Sequence, residues 1–236
     1  LFTRAAHLAP QSSAVLNSLG LSLMNSGRAG AGAEWFARAV AQHPENADYQ
    51  CNLGMARQLA GDWAGALAAQ EEAIRLNPER AAFHNNRGNA LLALGREPEA
   101  EEAYREALRR MPEHAEANFN CGGILFRAGR YGEALPHFEA AVRGRPASAE
   151  GWRSLGAVLQ RLGRPAEAES CLERARRLGS GEHATRSDIW NAARRSGSSR
   201  RNGCAGSSAP LAGTERCAAP GFCEGLPRVA RPPEDP

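Results

Sequence analysis

Small and apolar residues recur along the chain with a period of 34 residues. Gly20, Gly54, Gly88, Gly122 and Gly156 fall one period apart, as do Gly27, Gly61, Gly95, Gly129 and Gly163. Ala39, Ala73, Ala107, Ala141 and Ala175 form a third ladder, and Pro10, Pro44, Pro78, Pro112 and Pro146 a fourth. Numbering each unit from Ser13, Ala47, Ala81, Ala115 and Ala149, the apolar and small positions cluster at 7, 8 and 11, then at 20, 24 and 27. Spacings of three and four place each cluster on one face of a helix. The pattern predicts one helix near positions 1–14 and another near 18–31, with no strands: an all-α chain.

The residue types fit this division. A glycine at position 8 lets the second helix approach the first closely. The glycine at position 15 can adopt the left-handed conformation that ends a helix. The position-32 proline stops the second helix and opens the link to the next unit. Position 20 stays small: Gly32, Ala66, Ala100, Ala134 and Ala168. Larger residues fill position 7 (Leu19, Leu53, Leu155), position 11 (Leu23, Leu91, Leu125, Leu159) and position 24 (Phe36, Tyr104, Phe138, Leu172). Arg57 at position 11 and Gln70 at position 24 depart from it, so the second unit is expected to pack least well.

A repeat of this length with these four ladders resembles the tetratricopeptide repeat family over residues 13–180. The family tryptophan at position 4 occurs only as Trp152; Leu16, Gln50, His84 and Asn118 stand there in the other units. The resemblance implies an α-solenoid of antiparallel helix pairs, with five units at 13–46, 47–80, 81–114, 115–148 and 149–180. Such units cannot bury their apolar faces alone and form a continuous core by stacking. Residues 1–12 match the end of a preceding unit through Phe2, Ala5 and Pro10. With no initiator Met, the chain is expected to be a piece of a longer protein with another repeat upstream.

The register fails near Gly179, where Ser180 replaces the proline. Residues 181–196 hold a candidate capping helix around Ile189 and Trp190, an unstructured segment being the alternative. Residues 197–236, rich in Gly, Ser, Pro, Ala and Arg, read as a disordered tail or a frame-shifted gene end.

Composition narrows the function. Net charge is +3 over 236 residues, too little to imply nucleic acid. All 29 basic residues are arginine, as in a GC-rich genome. No apolar run approaches the ~20 residues of a membrane span, and no signal peptide is visible. The six cysteines lack metal-ligand spacing; Cys121, at core position 7, reads as a small hydrophobe. A reducing, cytoplasmic setting is expected. The scattered histidines form no catalytic set, so no catalytic residue, cofactor or metal is expected, and the chain is read as not an enzyme.

Asparagine stands out. Position 6 carries Ser18, Asn52, Asn86, Asn120 and Ser154. The resemblance implies that positions 2, 5, 6, 9, 12 and 13 face the concave groove. There they join Asn17, Asn85, Asn89, Met24, Met55, Leu92, Phe119, Phe126 and Arg127. An amide can donate to a carbonyl and accept from an N–H, so a row of them could hold an extended peptide by its backbone. The row is similar to the asparagine ladder in the repeat superhelix of O-linked N-acetylglucosamine transferases. The alternative is that asparagine merely suits this helix position. A two-carboxylate clamp is disfavoured: lysine is absent, and Arg153, Arg127 and Arg161 are the only inner-face arginines.

The expected function is a scaffold binding a protein or peptide in the groove, with no nucleic acid or membrane partner and the oligomeric state open. The alternative is the substrate-recruiting arm of a larger glycosyltransferase or sulfotransferase; a spacer without a ligand is a third reading.

Overall fold

The computed structural model describes residues 12–179, so residues 1–11, the candidate capping helix and the tail lie outside the described residues. Ten α-helices run through the described chain in consecutive pairs. These are α1 (Ser13–Asn25) with α2 (Ala29–Gln42), α3 (Ala47–Leu59) with α4 (Trp63–Leu76), and α5 (Ala81–Ala93) with α6 (Glu97–Arg110). They continue as α7 (Ala115–Arg127) with α8 (Tyr131–Gly144), and α9 (Ala149–Arg161) with α10 (Pro165–Gly179). Each pair packs internally and against the next, giving a solenoid of tandem repeats.

The first helix of every pair ends the same way. Gly27, Gly61, Gly95, Gly129 and Gly163 have φ of 80°, 85°, 79°, 76° and 73°. The N–H of the following residue returns to the carbonyl five positions earlier: Arg28 to Leu23, Asp62 to Arg57, Arg96 to Leu91, Arg130 to Leu125 and Arg164 to Leu159, each at 2.9 Å. This satisfies a carbonyl that the helix end would otherwise orphan, and the left-handed residue costs least when it is glycine.

Inside each pair, position 8 meets position 24. A Cβ added at Gly88 would lie 2.5 Å from Tyr104 Cε1, and one at Gly20 would lie 2.8 Å from Phe36 Cε1. The same contact is looser at Gly122, 3.2 Å from the Phe138 ring. The glycine gap is therefore filled by the partner's ring. Ala39, Ala73, Ala107, Ala141 and Ala175 are all buried, and one apolar cluster runs from Ala66 to Ala168 through α4–α10.

The second pair differs as expected from its residues. Gln70 takes the ring position at 0% exposure. Its Nε2 donates to the Cys51 carbonyl at 3.1 Å, while its buried Oε1 takes no hydrogen bond. Arg57 donates to the Gly65 carbonyl at 3.2 Å. Pro136 lies within α8, which nevertheless runs unbroken as an α-helix from Tyr131 to Gly144.

The links between pairs share a feature that the single family tryptophan does not reveal. Three different position-4 side chains donate to the preceding position-32 carbonyl. Asn118 Nδ2 reaches Pro112 O at 2.7 Å, and Trp152 Nε1 reaches Pro146 O at 2.9 Å. His84 Nε2 lies 2.7 Å from Pro78 O, which requires its proton on that nitrogen. In these three units any side-chain N–H makes the bond that the family's indole makes in one of them.

Candidate functional site

The first helices line one wall of the stack. Direct contacts run from α1 to α3, from α3 to α5 and from α7 to α9. Asn52 and Asn86 lie at the first two of these seams and Asn120 faces α5 from α7, and each reaches back to position 5 of the preceding unit. Asn52 Nδ2 donates to Asn17 Oδ1 at 2.9 Å, Asn86 Nδ2 to Cys51 Sγ at 3.5 Å, and Asn120 Nδ2 to Asn85 Oδ1 at 3.1 Å. Asn120 Nδ2 also reaches Asn89 Oδ1 at 3.0 Å, and that oxygen accepts the Tyr104 hydroxyl at 2.8 Å. The row ends where its partners change: position 5 becomes Phe119 and position 6 becomes Ser154.

These bonds qualify the expectation that the amides of the groove are there to hold a peptide: their N–H groups already bond neighbouring side chains. Asn52 is 7% exposed and Asn85 1% exposed, whereas Asn17, Asn86, Asn89 and Asn120 are half-buried. The amides hold adjacent first helices together. Among the described residues their N–H groups take up this role, and the side-chain oxygens of Asn52, Asn86 and Asn120 accept nothing. The wall therefore carries three carbonyl acceptors one repeat apart. The Nδ2 groups of Asn17 and Asn89 donate to no described residue.

The apolar members divide. Met24 and Leu92 are 3% and 8% exposed and belong to the core, correcting their placement in the groove. Met55 is half-buried, packing against two apolar clusters. Phe119 is half-buried and meets the Phe138 ring edge-on at 5.7 Å, so it supports the core as well as the wall. Phe126 stacks edge-on against Tyr131 at 5.3 Å, and Arg161 of α9 lies over Tyr131 at 5.6 Å. Arg127 is exposed and turns to Glu97, its Nε donating at 2.9 Å. Such an exposed pair adds little stability and leaves the guanidinium partly neutralised.

The fourth pair brings together residues that the sequence kept apart. Asn118 Oδ1 accepts from His137 Nδ1 at 3.0 Å, and Cys121 Sγ lies 3.7 Å from His137 Nε2. The Cys–His–Asn order resembles a thiol-protease set, but Cys121 is fully buried and burial pushes its thiol up to about 11. A thiol held in that form is a poor nucleophile. Its only sequence signal was the pairing of a polar position 4 with a histidine at position 23.

The sequence profile described as tetratricopeptide repeat matches residues 1–47, 51–115, 98–149 and 124–183. No curated protein sequence matches the chain. Among solved structures, pilF of Pseudomonas aeruginosa superposes with a TM-score of 0.67 at 18% identity, covering 82% of this chain and 86% of its own. YrrB, described as a TPR protein with an unusual peptide-binding site, gives 0.55 at 18% identity, covering 82% and 97%. MamA of Desulfovibrio magneticus RS-1 gives 0.60 at 14% identity, covering 73% and 97%. At these identities the likeness is one of fold.

Proposed function

Because the chain belongs to the tetratricopeptide repeat family, we propose that it is a protein-interaction scaffold whose wall of first helices takes an extended peptide segment of a partner protein. The row of carbonyl oxygens on Asn52, Asn86 and Asn120 carries this reading. Each is an acceptor without a donor among the described residues, and the three recur with the repeat. A peptide backbone offers N–H donors whatever its sequence, so the row supplies affinity without strict sequence choice. Phe126, Tyr131 and Arg161 at one end would set side-chain preference. Met55 and Phe119 widen the apolar floor, and Arg127 gives the rim a charge. The unusual peptide-binding site described for YrrB is consistent with this use of the fold.

On this reading the chain is a binding module and not an enzyme. A reducing cytoplasm suits its described cysteines, which form no disulfide among the described residues. Among the described residues no helix is long and apolar enough to cross a membrane.

The test begins with capture of partners by the full chain and mapping of the bound segment by crosslinking. A peptide of that segment is then titrated calorimetrically against wild type and Asn86→Ala. Asn86 is the informative position because its only described side-chain bond is the long one to Cys51 Sγ. Loss of one peptide hydrogen bond should weaken binding by about 0.5–1.5 kcal/mol. Unchanged affinity with an intact circular dichroism spectrum would remove the amide row from the binding surface.

A further inference from the structure

The start of the fourth helix pair is tied to the link before it, and to its own second helix, by hydrogen bonds that involve two histidines. Asn118 Nδ2 donates to Pro112 O at 2.7 Å and to His114 O at 3.2 Å. That fixes the amide so that its oxygen faces His137 Nδ1 at 3.0 Å, and an amide oxygen only accepts. His137 must therefore carry its proton on Nδ1 and leave Nε2 bare to accept the Cys121 thiol at 3.7 Å. At the other end of the link, His114 caps α7: its Nδ1 accepts the Ala117 N–H at 3.2 Å. Both rings work only when neutral. An imidazolium has no lone pair, so protonated His114 loses the cap and protonated His137 loses the bond from the thiol.

We propose that this joint is a pH-sensitive hinge: His114 and His137, neutral and hydrogen-bonded, lock α7 onto the preceding link, and their protonation releases it. The surroundings favour the neutral locked form. Burial lowers the affinity of His114 for a proton. Arg145 after α8 acts in the same direction, and Glu116 on α7 opposes it. Burial likewise lowers His137, helped by Arg105 on α6 and opposed by Glu101 on α6 and Glu133 on α8 itself. Cys121 faces His137 from α7 as an uncharged thiol. Groups that are harder to protonate when the joint is closed bind protons more readily when it is open. The lock is then complete above the ordinary histidine value of about 6.5 and weakens as pH falls through it. Asn120 bonds Asn85 and Asn89 across this joint, so opening it also breaks the amide row.

Two of the other first helices supply the contrast, those after Ser12 and Arg80 having no side-chain cap. Position 34 is Asn46 before α3 and Ser148 before α9, and both cap through oxygens that do not titrate in this range. The experiment uses the full chain. Ring proton shifts of His114 and His137 are followed by NMR, and amide exchange, corrected for its intrinsic pH dependence, is compared between α3 and α7. Both rings should titrate below about 6.5. From about pH 7.5 to 5, protection at Ala117 and Cys121 should fall severalfold while α3 changes little. The double variant His114→Ser, His137→Gln keeps a cap and both an acceptor and a donor, and should hold α7 protection level over this range. Ring titration at or above the ordinary value, equal losses in α3 and α7, or an undiminished loss in the double variant would each overturn the hinge. The ring titrations are read on wild type and stand even if the variant does not fold.

Discussion

At the scale of single residues, the close contact between position 8 and position 24 decides what can be changed. Gly88→Ala adds a Cβ at 2.5 Å from a fully buried Tyr104 ring, which has no open side to move toward. Overpacking of this kind costs about 1–3 kcal/mol, and alanine's better helix propensity returns at most ~1 kcal/mol of it. Gly122→Ala meets Phe138 at 3.2 Å and should be milder. Urea denaturation of both variants should therefore rank Gly88→Ala as the more destabilised; the reverse order would contradict the ring-in-gap packing. Gln70 points the other way. Its Oε1 is buried without a donor, so Gln70→Leu, the residue that Leu172 already provides opposite Gly156, should raise stability by about 1 kcal/mol. A lower denaturation midpoint would show that the bond to the Cys51 carbonyl matters more than the orphaned oxygen.

At the scale of elements, the helices owe their limits to local chemistry and their persistence to packing. Asn46 caps α3 by accepting from Asp48 N and Tyr49 N at 3.0 and 3.1 Å. Asn46→Ala should cost about 1 kcal/mol, with amide exchange fastest in the first turn of α3. Pro136 gives up one backbone bond inside α8 without breaking the helix. It is exposed, so replacing it removes no packing. Pro136→Ala should restore a donor toward Gly132 O and stabilise the protein by up to ~3 kcal/mol in thermal melts. No gain would mean that the surrounding pairs already absorb the defect.

At the scale of the whole molecule, each pair touches mainly its neighbours, so damage should stay local. Gly88→Leu overfills the contact between α5 and α6. Exchange protection should fall most there, less in α3 and α8, and least in α1 and α10. A uniform loss along the chain would show a cooperative unit larger than the repeat. The amide row adds a second coupling along the wall of first helices, because Asn52, Asn86 and Asn120 each join one unit to the one before. The triple change to Ala should therefore lower stability as well as weaken the proposed peptide binding, with the two effects separable by titration at a temperature where both proteins are folded.

The repeat architecture was legible in the sequence because its requirements are local and recur. A left-handed turn requires glycine, a close helix crossing excludes a side chain, and a helix stop favours proline, so each leaves a mark every 34 residues. These marks alone determined the all-α solenoid, the terminating glycines and the contact of position 8 with the partner helix. The candidate wall was legible only as a set of positions. That Asn52 bonds Asn17 and Asn120 bonds Asn85 depends on how far one pair is rotated and shifted against the next, which no single unit encodes. The same holds for the exposure of Met24 and Leu92, which the face of one helix places toward the groove and the neighbouring pair covers. It holds too for the joint through Asn118, His137 and Cys121, where three side chains on two helices meet a carbonyl of the preceding link. Periodicity specifies what each helix needs from its partner; only stacking decides which polar groups are left to satisfy one another across the seam.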